Sequence, residues 1–164
     1  MKRRKTLKRK IGIIAVLSML VVALAAVPAL AANPHFIGTP QFTDEGTTLV
    51  GTGSVAGLGG ENIDVQLDAT GLATITCGNP GNNPDVPGQR TEFTVTGTQS
   101  DIEVKNGRAF FNVETAEPVA NAADVCPSAR WTATVTDVEF TSATITVFQP
   151  AGSDTEVLSQ TFQL

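Results

Sequence analysis

From residue 63 to the end of the chain, apolar and polar residues alternate with a period of two, which is the pattern of strands buried on one face. Ile63, Val65, Leu67 and Ala69 alternate with Asp64, Gln66, Asp68 and Thr70, and Gly71, Ala73, Ile75 and Cys77 continue the same phase. That run is either one long bent strand or two strands joined at Gly71. Phe93 and Val95 alternate with Thr94 and Thr96, while Ala109, Phe111 and Val113 face away from Arg108, Asn112 and Glu114. Trp131, Ala133 and Val135 alternate with threonines, as do Ala143, Ile145 and Val147, and Phe162 and Leu164 close the chain.

Two local signals punctuate these runs. Asn106-Gly107 follows Ile102-Glu103-Val104 and precedes the Ala109 strand. Asn and Gly both tolerate the positive φ that a type I′ turn needs, so a tight hairpin is predicted there. Near Asp137 the apolar phase moves from odd to even (Val138, Phe140) and returns at Ala143, which reads as a bulge followed by a turn. No helical periodicity of useful length follows residue 32. About eight short strands separated by Gly, Pro and Asn predict an all-β chain, a single antiparallel β-sandwich of immunoglobulin-like architecture.

The first 31 residues have a different character. Met1 to Lys10 holds seven basic residues and no acidic one; residues 11–27 are uncharged and almost wholly apolar; Ala29-Leu30-Ala31 closes them with small side chains. A basic start, an apolar stretch and an A-x-A site make a secretory signal peptide, with cleavage expected between Ala31 and Ala32. The rival is an uncleaved anchor, since the apolar stretch approaches the length that spans about 30 Å of hydrocarbon. Pro28 and the Ala-rich exit favour cleavage, and either way the basic flank keeps the following domain outside. Arg3-Arg4 only faintly matches a twin-arginine motif. No Cys follows the apolar stretch to carry a lipid, and no sorting motif or apolar tail is seen at the other end. The organisation predicted is a signal peptide over 1–31 and one secreted domain over 32–164, long enough for one core and short for two.

Removing residues 1–31 changes the electrostatics. Only Arg90, Lys105, Arg108 and Arg130 remain against sixteen carboxylates, a formal charge of 4 − 16 = −12 where the whole chain carries −5. Such a surface repels nucleic-acid phosphates and anionic lipid. The partner expected is an extracellular ligand or surface component, with no nucleic acid and no membrane contact except through an uncleaved signal.

Cys77 and Cys126 are the only cysteines. An even pair in an exported chain predicts a disulfide, and it would tie together the two longest unpatterned segments, 78–88 and 116–128. The spacing is not that of a C-x-x-C redox pair, and two thiols without a nearby His make a poor zinc site. Trp131 follows both cysteines, whereas in immunoglobulin domains the Trp lies between them. It is expected to be an ordinary core aromatic.

Candidate chemistry is sparse. His35, the only histidine, lies near the predicted mature N-terminus, a poor place for a general base or ligand. Gly51-Thr52-Gly53-Ser54-Val55-Ala56 matches a loose dinucleotide pattern but runs into a Gly-rich turn instead of the helix that would hold a pyrophosphate. Asn79, Asn82, Asn83 and Asp85 offer oxygen ligands for calcium, although a single carboxylate supplies little charge and Pro and Asn also make plain turns. A sugar-binding module would normally offer an exposed Trp or Tyr; there is no Tyr, and Trp131 falls in a core pattern, which lowers sugar binding without excluding it. No catalytic residue, metal site or cofactor is predicted.

The stretch Cys77-Gly-Asn-Pro-Gly-Asn-Asn-Pro-Asp-Val-Pro-Gly-Gln89, with the Thr-rich runs Trp131 to Val138 and Phe140 to Val147, resembles a group of small secreted bacterial proteins. In these a C-x-N-P-G-x-N-x-x-P-G-Q loop precedes Thr-rich strands; here three residues, Pro84-Asp85-Val86, stand where that pattern has two. The resemblance implies export and a β-sandwich, and it brings no activity with it. The function expected is a non-enzymatic binding or structural role at the cell exterior. The alternatives are a calcium-dependent surface module and, with less behind it, an extracellular hydrolase working through two carboxylates.

Overall fold

The structure is a computed structural model that describes residues 33–81 and 85–164. The predicted signal peptide, its Ala31–Ala32 junction, and Asn82 and Asn83 of the proposed calcium loop lie outside the described residues.

Two antiparallel sheets pack face to face, so the predicted all-β sandwich is the fold. In the first, β3 (Leu49–Ala56) is central. It pairs on one edge with β1 (His35–Phe36) and β2 (Gln41–Asp44), and on the other with β7 (Arg108–Glu114). In the second, β4 (Ile63–Gly78) is flanked by β6 (Thr91–Ile102) and the two-residue β5 (Val86–Pro87) on one side. On its other side lie β8 (Thr132–Phe148) and then β9 (Glu156–Gln163). A four-residue helix α1 (Ala122–Val125), which no periodicity announces, is capped by Asn121 Oδ1 accepting from Ala123 N at 3.1 Å.

The alternation seen in the sequence puts its odd phase in the core. Ile63, Val65, Leu67, Ala69, Ala73, Ile75 and Cys77 of β4 are each no more than 2% exposed. They meet Ala143, Ile145 and Val147 of β8 and Leu49, Val55, Ala109, Phe111 and Val113 of the first sheet. Burying each large aliphatic side chain contributes about 1.5–3 kcal/mol, so this interleaved set supplies most of the driving force for folding. The even phase forms a hydroxyl-rich outer face. There Thr70 and Thr94 lie 3.1 Å apart, Thr144 and Thr161 2.8 Å, and Thr146 and Ser159 3.1 Å, oxygen to oxygen.

β4 is one continuous strand through Gly71, which settles the choice between one strand and two. Around Asp137 the structure corrects the expectation of a bulge followed by a turn: β8 is unbroken and carries two bulges. The register skips Thr136 (Thr74 opposite Asp137, Ile75 opposite Val135) and again Thr141 (Thr70 opposite Ser142, Gly71 opposite Phe140). Each extra residue flips the facing of the strand, so Val138 and Phe140 point inward between the two bulges. The hydroxyls of Thr136 and Thr141 donate to the carbonyls of Thr74 and Thr70, both at 3.2 Å, so β8 needs no turn to restore its phase.

Cys77 and Cys126 are bonded, with Cα atoms 5.8 Å apart. The bond fastens the segment holding α1 to the far end of β4. Gln89 N donating to Val125 O at 2.9 Å and Gly88 N to Ile75 O at 2.8 Å extend the same fastening. Trp131 precedes β8 and is half-buried, packed at the margin of the core rather than within it. His35 is not in a free terminal segment: it opens β1, opposite Ala56.

Candidate functional site

The turn predicted at Asn106-Gly107 has φ of 53° and 71°, both in the left-handed region that a type I′ turn requires. It joins strands of different sheets, however. β6 ends at Ile102 in one sheet and β7 begins at Arg108 in the other, with only a Lys105–Arg108 bridge between them. The turn is therefore a corner of the sandwich.

β7 reads Arg-Ala-Phe-Phe-Asn-Val-Glu. Successive side chains of a strand point to opposite faces, so its adjacent phenylalanines part company. Phe111 is buried in the core, whereas Phe110 is 74% exposed. Among the described residues Phe110 is the only aromatic so exposed. Its neighbours follow from register: Ser54 lies opposite it on β3, and Ile37 N donates to Ser54 O at 2.9 Å on the far side. The next row is His35, Ala56 and Arg108. Two small residues thus floor a shallow trough rimmed by Ile37 and His35 on one side and by Phe110 and Arg108 on the other.

Phe110 and Arg108 also wall an open recess of about 640 Å³ between β7 and the corner, completed by Ile102, Glu103, Lys105 and Asn106. Lys105 Nζ lies 3.0 Å from Glu103 Oε2, while Arg108 makes no ion pair among the described residues. Two of the four cations left after residue 31 therefore line the same recess as Phe110. The backbone adds a further donor. Arg108 N donates to Lys105 O at 3.0 Å and Asn112 N to Gln99 Oε1 at 2.8 Å, so even-numbered N–H groups of β7 point away from β3. Backbone groups alternate along a strand, so Phe110 N–H and C=O, midway between those two, face the recess.

The other candidates behave differently. Asn79 Oδ1 accepts from Gly81 N at 2.8 Å, a turn within its own loop. Among the described residues no three His, Cys, Asp or Glu side chains group as metal ligands. Gly51 to Ala56 lie within β3, and a bend with Gly57 at φ 74° follows. Asp64 and Asp154 share a groove of about 260 Å³, but Asp64 uses one oxygen for Asp101 N at 2.8 Å and the other for Gly152 N at 2.7 Å. Asp64 acts as a clamp between two turns. Neither the Phe110 surface nor the recess was anticipated from sequence. The signal was nonetheless present, because Phe110 occupies the polar phase of β7, between Arg108 and Asn112.

Compared with known protein families, curated proteins and solved structures, the chain matches none of them.

Proposed function

We propose that this chain is an exported, non-enzymatic binding domain of the cell exterior that contacts its ligand through Phe110 and the recess beside it. The observation that carries the reading is the placing of a large apolar ring in the solvent-facing phase of a strand, beside a recess also lined by Arg108 and Lys105, two of the four Lys and Arg after residue 31. Single exposed apolar residues are ordinary. An exposed ring with Ile37 in its row, a floor of small residues and unspent donors at its base is an arrangement suited to a ligand. Export is supported by the signal-like residues 1–31, the disulfide, and the resemblance to small secreted bacterial proteins. Among the described residues no helix is long and apolar enough to cross a membrane.

The calcium and hydrolase readings have less support, since Asn79 and Asp64 are engaged by backbone N–H groups. The test is sedimentation of the exported protein with purified envelopes of the cells that make it. Wild type should co-sediment and Phe110→Ala should remain in the supernatant, while Val119→Ala, at an 88% exposed site beyond the other end of β7, behaves as wild type. Equal sedimentation of wild type and Phe110→Ala would remove the reading.

A further inference from the structure

We infer that the ligand of the Phe110 surface is a carboxylate-bearing saccharide, a uronic-acid glycan; this rests on Phe110 being the point of contact. Three features select that chemistry. An aromatic ring standing beside a floor of small side chains (Ser54 and Ala56) can stack against the C–H face of a pyranose, and Phe110 is the only aromatic among the described residues exposed enough to do so. The donors around it suit an anion with planar oxygens: the Arg108 guanidinium, without an ion pair among the described residues and able to bind a carboxylate through two parallel N–H groups, the Phe110 N–H, and the Asn106 amide. The third feature argues against an acidic peptide added to the sheet as a strand. An extended peptide would need a run of free backbone groups on the edge of β7. Arg108 N is already taken by Lys105 O and Asn112 N by Gln99, which leaves Phe110 alone between them. One free N–H can hold one carboxylate, not a strand.

The net charge of the domain does not forbid an anionic ligand. At physiological ionic strength charges beyond about 8 Å are largely screened, so a carboxylate in the recess responds most to the charges that line it, Arg108, Lys105 and Glu103. Glu103 is the opposing charge at the site, and it holds Lys105 at 3.0 Å. It therefore weakens binding of an anion and sets a sign for the test.

The experiment is calorimetric titration of the exported protein, disulfide intact, with trigalacturonate, its fully methyl-esterified form, and a hexa-aspartate peptide. Trigalacturonate should bind, and both the ester and the peptide should bind at least tenfold more weakly. Arg108→Gln and Phe110→Ala should each lower trigalacturonate affinity about tenfold or more, and Glu103→Gln should raise it severalfold. These side chains are exposed, and unchanged melting temperatures will confirm that the variants fold. Equal binding of acid and ester, stronger binding of the peptide, an unaltered Arg108→Gln, or no binding at millimolar trigalacturonate would each overturn the assignment. If these fail while Phe110→Ala still abolishes envelope sedimentation, the ligand class is wrong and the binding surface stands; if both fail, both fall.

Discussion

The backbone of Gly97 on β6 presses against that of Glu114 on β7, so closely that a methyl group on Gly97 would overlap the Glu114 carbonyl. Here the two sheets touch main chain to main chain, and Ala116 N donating to Thr96 O at 3.0 Å seals the seam. The obstacle is backbone and cannot swing aside as a side-chain tip would. Gly97→Ala should therefore cost about 3 kcal/mol, the upper part of the range for overpacking. Gly60→Ala is the control, because nothing lies within 4 Å of its added methyl, and it should stay within about 0.5 kcal/mol of wild type. Urea melts of the two variants decide the matter. Equal midpoints would mean that the seam is looser than described.

Cys77 and Cys126 close a loop with a sequence separation of 49, worth about 4 kcal/mol in the chain-entropy account of disulfides. Thiol titration of the unfolded, unreduced protein should find no free sulfhydryl, and reduction should lower stability by a few kcal/mol. Cys77 is fully buried and Cys126 only partly. Cys126→Ser should thus cost little beyond the lost link, whereas Cys77→Ser also puts a hydroxyl into the core and should cost more. Two titratable thiols would contradict the pairing.

How much was legible in advance depended on what each signal encodes. Period-two alternation reports which residues face inward, and Ile63 to Cys77 and Ala143 to Val147 are inward. Asn106-Gly107 was readable because few residues tolerate positive φ at two adjacent positions. Pairing was not readable: the alternating pattern is alike in β6 and β7, and nothing in it says that they belong to different sheets. The phase change near Asp137 was visible, but a bulge and a turn both shift phase, and the hydrogen bonds of Thr136 and Thr141 that favour a bulge exist only once β4 is alongside. Trp131 continued the inward phase of its run, yet it stands at the end of that run, where the opposing sheet gives only partial cover. Phe110 is hidden for a different reason: its neighbour Phe111 already satisfies the apolar pattern of β7, so the second ring leaves no mark on the periodicity.

The proposed export gives a direct prediction about processing at the Ala31–Ala32 junction. Intact mass of the exported protein should correspond to a chain starting at Ala32, with the formal charge that follows from losing every basic residue before Arg90. Recovery of the full-length chain in the membrane fraction would instead support an uncleaved anchor and a domain tethered at the surface.

Hydroxyl-radical footprinting of the protein with and without envelopes tests Phe110 as the contact surface most directly. Free in solution, both Phe110 and Val119 should be oxidised, since each is largely exposed. On the envelopes, oxidation of Phe110 should fall severalfold while that of Val119 stays unchanged. A bound protein in which Phe110 remains as reactive as in solution would contradict the account.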